Sequence, residues 1–242
     1  MIKIIEVKNR KDRKEFLNFP LRMYKDNPNF VPPLYADEKK MFTKKFAYND
    51  TCESAFFLAE KDGKTVGRIS AIIQKAANEK NNERRVRFTR FDCIDNEEVA
   101  KALFGAIEEY AAKKGMDTIC GPLGYSDLER EGLLIEGFDE LSTFEEQYNA
   151  EYYGRLIEAC GYKKEVDWVE SKIFLPEEKD IENIKKMSAF VKNRYGLRLP
   201  KCKNIKEFID KYADGFFDLL DDAYKDLYGT VPFSDSMKKM LM

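Results

Sequence analysis

The chemistry open to this chain is limited first by a residue it lacks: there is no histidine. Ser-His-Asp and Cys-His nucleophilic catalysis, histidine-ligated zinc and imidazole acid–base work are therefore excluded. Carboxylates, tyrosines, lysines, cysteines and backbone amides remain. Cys52, Cys93, Cys120, Cys160 and Cys202 are odd in number and far apart, so they give no metal-ligand spacing and no metal is expected. Cys93, Cys120 and Cys160 sit in apolar runs, where a reduced thiol packs as a small hydrophobe. The densest polar stretch is 123–147, which carries Asp127, Glu129, Arg130, Glu131, Glu136 and Asp139 around Leu133, Leu134 and Phe138. It is about three times the usual connection length. A loop of this kind forms a substrate wall, and an acidic wall suits an amine; the alternative is a loop that docks two parts of the protein together. Arg84, Arg85, Arg87 and Arg90 form a basic run that reads as a solvated hairpin or as a partner for phosphates. With Lys+Arg 42 against Asp+Glu 44, the net charge of -2 lacks the basic excess of a nucleic-acid binder, so no nucleic-acid partner is expected.

The elements that must position these groups can be read from periodicity. Residues 2–7 open as a strand. Phe16, Phe19, Leu21 and Tyr24 give helical bursts over 11–27, broken at Pro20 into two short helices, and Pro28, Pro32 and Pro33 force a turn-rich connection. Lys61-Asp62-Gly63 joins 54–60 to 64–73 as a β-hairpin. In 85–94, Val86 and Phe88 alternate in one phase and Phe91 and Cys93 in the other; an extra residue near Thr89-Arg90, a β-bulge, reconciles them. Asp95 and Glu98 read as a capping box before a helical stripe of Val99, Leu103, Ala106, Ile107 and Tyr110, with Gly115 closing the helix. A compact strand (116–120) ends at Gly121-Pro122, a helix bearing Tyr153, Leu156, Ile157 and Cys160 ends at Gly161, and 167–175 reads as a closing strand. The order indicates an α/β domain of α+β type, a mixed sheet with parallel neighbours in its middle. No apolar run is long enough for a leader or a membrane span, which points to a cytoplasmic protein.

The chain also repeats itself at an offset of 200. Tyr24-Lys25-Asp26 returns as Tyr224-Lys225-Asp226, Val31-Pro32 as Val231-Pro232, and Lys39 as Lys239. A period this long indicates a duplicated domain rather than a solenoid. The expected division is a domain over 1–176, a linker helix over 177–196, and the start of an incomplete second copy over 197–242 opening with a strand at 197–202. The alternative is a helical appendage that happens to share a tripeptide. An opening strand without a partner needs cover, either by docking on the first copy or in a homodimer.

The element order, the bulged strand, and Tyr153-Gly-Arg-Leu-Ile-Glu-Ala-Cys-Gly-Tyr162 followed by a strand resemble the GNAT-type N-acetyltransferases. More narrowly, Phe19-Pro-Leu-Arg-Met-Tyr-Lys-Asp-Asn-Pro-Asn-Phe-Val-Pro-Pro33, Gly121-Pro122, Glu131-Gly-Leu-Leu134 with Gly137-Phe138-Asp139, and Tyr148-Asn149 with Tyr152-Tyr153 resemble a bacterial family of duplicated GNAT-like proteins that includes bacterial ceramide synthases. The resemblance implies an acyl-CoA N-acyltransferase fold with a central bulged strand. It also implies acetyl-CoA or a longer acyl-CoA as cofactor, and a small-molecule amine as acyl acceptor. It places acyl-CoA in a wedge between 85–94 and 116–120, with Phe91, Cys93, Ile94 and Asn96, and Asn149 and Tyr152, as cofactor-binding residues. Asp92 is then the candidate base and Tyr153 the candidate acid, with Glu131, Asp139 and Tyr148 on the substrate side. Two departures stand out. The loop after the bulged strand has no glycine and three carboxylates, so a self-capped helix competes with a pyrophosphate site. Ile157 occupies the position where many relatives carry the tyrosine that protonates the thiolate. The resemblance thus leaves two readings: an N-acyltransferase, and a non-catalytic GNAT-like module whose CoA site is degenerate.

Overall fold

The structure is a computed structural model that describes residues 1–242. It comprises two compact units, one of residues 1–164 with 219–242, the other of residues 165–218.

The first unit is built on a five-stranded sheet in sequence order: β1 (Lys3–Glu6), β2 (Cys52–Lys61), β3 (Lys64–Gln74), β4 (Arg85–Cys93) and β5 (Thr118–Cys120). β1 to β4 pair antiparallel, while β4 and β5 run parallel because the helix α4 (Glu97–Lys113) crosses over between them. Asp62 and Gly63, both at positive φ, form the two-residue turn that matches the twist of β2 and β3. The expected bulge lies where the alternation changes phase. Ser70 faces Thr89 and Arg68 faces Asp92, so Ile69 alone spans Arg90 and Phe91, with Arg90 in the left-handed region at φ 51°. β5 pairs with β4 at only three positions, from Arg85↔Thr118 to Arg87↔Cys120. It stops at Gly121, where a Cβ would lie 2.3 Å from the Phe88 carbonyl oxygen. β5 is paired along its whole length, the Leu123 amide still donates to the Phe88 carbonyl at 2.9 Å, and beyond that point β4 has no strand on this side.

One face of the sheet packs against α4 and α5 (Tyr153–Ala159) through Val99, Leu103, Phe104, Ile107 and Leu156, all essentially buried. The other face receives α1 (Arg10–Met23), through Phe16 and Leu17, and a turn-rich segment containing α2 (Tyr35–Lys40). The short helix α3 (Lys75–Asn81) follows β3. Two expected short helices are in fact one: α1 continues through Pro20. Proline withholds the amide that would bond the Phe16 carbonyl, and the Arg68 guanidinium donates to that carbonyl instead at 2.9 Å. The end of the chain also belongs to this unit. Arg87 donates to the Gly229 carbonyl at 2.9 Å, Lys80 to the Thr230 hydroxyl at 3.1 Å, and the Val231 amide to Asp127 at 3.1 Å. Met237, in the last helix α8 (Asp235–Leu241), is 1% exposed in the core cluster of Phe16, Tyr48 and Tyr125.

The second unit holds α6 (Glu178–Arg194) and most of α7 (Ile205–Tyr224). Two expected strands are absent. Residues 167–175 form no ladder, and Val169, Ile173 and Leu175 are 87–95% exposed. Apolar residues on both faces of that segment need a sheet covered on both sides, and β5 offers only a three-residue edge. Residues 197–202 likewise remain unpaired, with Leu197 and Leu199 exposed. No helix is long and apolar enough to cross a membrane.

Candidate active site

The wedge beyond Arg87 is where the fold leaves backbone groups of β4 without a neighbouring strand, and this chain fills it with its own side chains. α5 begins beside the far end of β4. From there the Tyr153 hydroxyl accepts from the Cys93 amide at 3.0 Å, and the Tyr152 hydroxyl donates to the Cys93 carbonyl at 2.8 Å. Tyr153 is fully buried, its ring against Phe91. Its hydroxyl proton points to Asp92 Oδ1, 3.3 Å away, and it accepts from the Tyr24 hydroxyl at 2.8 Å. Tyr24 also lies 3.2 Å from Asp92 Oδ1. The other oxygen of Asp92 accepts from Arg68 Nε at 2.7 Å, and both side chains of this ion pair are about 5% exposed. The guanidinium of Arg68 lies 4.9 Å from the Phe16 ring centroid. Burial, reinforced by the Asp92 charge, pushes the phenols of Tyr24 and Tyr153 well above the usual tyrosine range, so both stay protonated donors. Burial likewise raises the Cys93 thiol.

The helix end that would meet a pyrophosphate is also occupied. Asn96, not Asp95, is the N-cap of α4, and its Oδ1 accepts from the amides of Glu98 and Val99 at 2.9 and 3.2 Å. Asp95 is bonded to Arg155 instead, and Glu97 to Lys101 and Arg155. Free amides and the positive helix end are what draw phosphate to such a site. Here both are used internally and flanked by carboxylates. The residues present do not fit the CoA that the fold family implies.

The structure gathers Phe91, Asp92, Cys93, Tyr152 and Tyr153 at the wedge, sets Ile94, Asp139 and Tyr148 with Tyr152 on one adjoining groove, and places Asn96, Asn149 and Glu131 elsewhere. Phe91 is a core residue between Phe104 and Tyr153. Ile94 and Asp139 are exposed on an open groove of about 750 Å³ that Tyr24, Tyr148 and Tyr152 also line. Asn149 is buried and holds the long loop, bonding both the amide and the carbonyl of Leu134. Tyr148 is buried between Asn27, which donates to it, and the Phe138 carbonyl. Ile157 is a half-buried core residue.

Three carboxylates of the loop 123–147 are taken up internally, while Asp139 lines the open groove together with Asp26, Asp95 and Glu151. Glu129 is bonded by the Tyr125 amide and lies 3.5 Å from Arg90, Asp127 accepts from Val231, and Glu131 lies 3.9 Å from Arg87. Desolvation outweighs the pull of Arg87 and raises Glu131 to about 8. The arginines are not solvated as a set. Arg84 pairs with Asp117, Arg87 is buried, and Arg90 makes a bidentate contact with Glu38 at 2.8–2.9 Å. Burial works against the Glu38 charge, but Arg90 prevails and its pKa is lowered. Glu38, Arg90 and Glu129 line a second, smaller cavity of about 210 Å³ with Arg68, Asp92 and Arg130. Tyr24, Arg68, Arg90 and Glu38 were not singled out as site residues from sequence. Two signals point to the first two: the recurrence of Tyr24-Lys25-Asp26, and a lone arginine within the apolar run Val66–Ile73.

No family model matches the chain. Among curated proteins, Protein YghO of Escherichia coli (strain K12) is 30% identical over 233 residues, covering 94% of this chain and 57% of YghO. Bacterial ceramide synthase of Caulobacter vibrioides (strain NA1000 / CB15N) is 28% identical over 246 residues, covering 99% of this chain and 62% of that protein. Over nearly its whole length the chain is similar to proteins of the GNAT-like family that includes bacterial ceramide synthases. It spans about three-fifths of the length of these relatives. Solved structures similar to it include a tandem GNAT protein from the clavulanic acid biosynthesis pathway (TM-score 0.44, 12% identity, 66% of this chain and 43% of that one). Another is an aminoglycoside acetyltransferase from an uncultured soil metagenomic sample (TM-score 0.43, 13% identity, 72% and 97%). The fold is GNAT-like on the chain's own topology: an antiparallel β1–β4 run, a bulged β4, and a short parallel β5 beside it.

Proposed function

We propose that this chain serves acyl transfer from a thioester to an amine, and that its first GNAT-like domain takes part as a module whose own CoA wedge is closed. The observation that carries the second half is the pair of tyrosine hydroxyls on Cys93. The amide and carbonyl that this fold would offer to a pantetheine arm are already bonded. The side-chain cap on α4 adds to it. The first half is supported by the relative named a ceramide synthase, since ceramide is an amide. In this reading Asp92 and Tyr153 are positioning residues. Asp92 holds Arg68 over α1 and orients two phenols, and Tyr153 ties α5 to β4.

A second reading, with Asp92 as base and Tyr153 as acid on acyl-CoA bound in this domain, is favoured by the open groove beside Tyr152 and Ile94. It requires both hydroxyls to leave Cys93. Thermal unfolding with acetyl-CoA or palmitoyl-CoA separates the two. A ligand present at a hundredfold excess over its Kd adds about 2.7 kcal/mol of stability. The closed wedge predicts no shift for the parent chain, no amide product from the chain alone, and a stabilising shift once Tyr152→Phe/Tyr153→Phe frees the Cys93 groups. Stabilisation of the parent by either thioester would establish the second reading.

A further inference from the structure

Charge is spread evenly over most of this chain, with one exception in the second unit. Residues 183–203 hold seven lysines and arginines and no carboxylate, although the whole sequence carries a net charge of only -2. The carboxylates of α6, Glu178, Asp180 and Glu182, are confined to its first turns, where they suit the positive end of the helix. Beyond Ile181 every residue of the helix is exposed. At about 100° per residue, Ile184, Val191 and Tyr195 fall within about 20° of one line along α6, and Ile181 and Met187 stand about 60° to either side. Ile184, Met187 and Tyr195 are 57%, 69% and 66% exposed. The cations border this stripe. Lys185 and Lys192 lie about 80–100° to one side of it and Arg194 about 80° to the other. The Arg194 guanidinium is 5.6 Å from the Tyr195 ring centroid and 5.9 Å from that of Phe190. Lys186, on the far side, is the one neutralised, by Glu182 at 3.3 Å. Past Gly196, exposed Leu197 and Leu199 are interspersed with Arg198, Lys201 and Lys203.

A helix face that stays in water has no use for such a stripe, and a face buried in protein would leave the bordering cations without counter-charges. A boundary between hydrocarbon and anionic headgroups accommodates both. The apolar side chains enter the acyl region, and long cationic side chains at the border reach back to the headgroups. We propose that α6 and residues 197–203 bind the surface of an anionic lipid bilayer, with the helix lying in the plane of the headgroups. The contact is peripheral, since no helix is long and apolar enough to cross a membrane. It is also local. A cation beside an anionic leaflet is worth about a factor of five in affinity, and the attraction fades over about 8 Å at physiological salt. The cations that border the stripe therefore count, and those on other surfaces do not. This binding is separate from the proposed acyl-transfer role and is independent of whether the wedge is closed.

The test is co-sedimentation of the whole chain with vesicles of phosphatidylcholine alone and of phosphatidylcholine with about one-third phosphatidylglycerol. The expected result is binding to the anionic vesicles, at least about tenfold weaker binding to the neutral ones, and release by about 0.5 M salt. Lys185→Glu/Lys192→Glu should weaken binding by about thirtyfold or more. Lys44→Glu/Lys45→Glu, the same change of charge on an exposed turn of the first unit, should leave it within about twofold. All four lysines are exposed, so circular dichroism should show both variants folded. Entry of the stripe is read from Met187→Trp in a Trp168→Phe background, whose emission should shift to the blue on anionic vesicles and be quenched by brominated acyl chains. Absence of binding to anionic vesicles, equal losses in the two double variants, or an unshifted emission at position 187 would each overturn the proposal. So would displacement from the vesicles by single-stranded RNA at matched phosphate concentration, which would make the stretch a nucleic-acid surface.

Discussion

Replacing Asp92 with asparagine should destabilise the domain far more than a surface change would, and a double-mutant cycle with Arg68 shows why. The two groups are paired at 2.7 Å with side chains 6% and 5% exposed, so Asp92→Asn leaves a buried guanidinium without its counter-charge. Breaking a buried pair from one side costs about 3–5 kcal/mol. In a unit of this size, each kcal/mol moves the melting temperature by roughly 2–4 °C, so a fall of about 10 °C is expected. Arg68→Met should be at least as harmful, because it also strands the Phe16 carbonyl that Pro20 leaves unbonded. The double variant Arg68→Met/Asp92→Asn removes both charges, and the asparagine oxygen still accepts from the tyrosines. Its loss should therefore fall short of the sum of the single losses by about 2 kcal/mol. Denaturant midpoints followed by circular dichroism measure all four proteins. Additivity within about 0.5 kcal/mol would show that the pair is not coupled and would return Asp92 to the role of a free base.

Two further outcomes follow from the same accounting. Burial raises Glu131 to about 8 in the folded state, so between its ordinary value of 4.5 and that pH the folded protein holds a proton that the unfolded chain releases. Its stabilising contribution is complete below the lower value and is lost as the pH rises through the upper one. Glu131→Gln should therefore flatten the pH dependence of the urea midpoint and stabilise the protein near pH 8 by on the order of 1–3 kcal/mol; an unchanged slope would refute this. Asn96→Ala removes the α4 cap and should cost about 1 kcal/mol, while Asp95→Ala, which loses only an exposed pair with Arg155, should cost well under half of that.

The parts of the fold legible in the sequence were those governed by neighbours. The change of phase between Phe88 and Phe91 revealed the bulge because an extra residue reverses strand parity. Asp62-Gly63 revealed the hairpin because both residues tolerate positive φ. What escaped was governed by distant partners. Pro20 looks like a helix end until Arg68, on β3, is seen to replace the missing donor. Asp95 and Asn96 are equally good caps in isolation, and Arg155 on α5 settles which one turns inward. Asp127, Glu129 and Glu131 look like part of a wall for a ligand because the Val231 amide, Arg90 and Arg87, which take them up, lie 39 or more residues away. Tyr152 and Tyr153 both reach the backbone of Cys93, but nothing local in the sequence shows that their hydroxyls are bonded there.

The seat of Met237 has a consequence for synthesis of the chain. As the polypeptide leaves the ribosome, the sheet, α1 and α4 are all available long before residues 229–237 emerge. Until then the pocket among Phe16, Tyr48 and Tyr125 has no occupant, and Arg87 lacks the Gly229 carbonyl. Domains generally fold as units during translation, yet this unit must wait until residues 165–218 have been made and 219–242 follow before that side of its interior can be sealed.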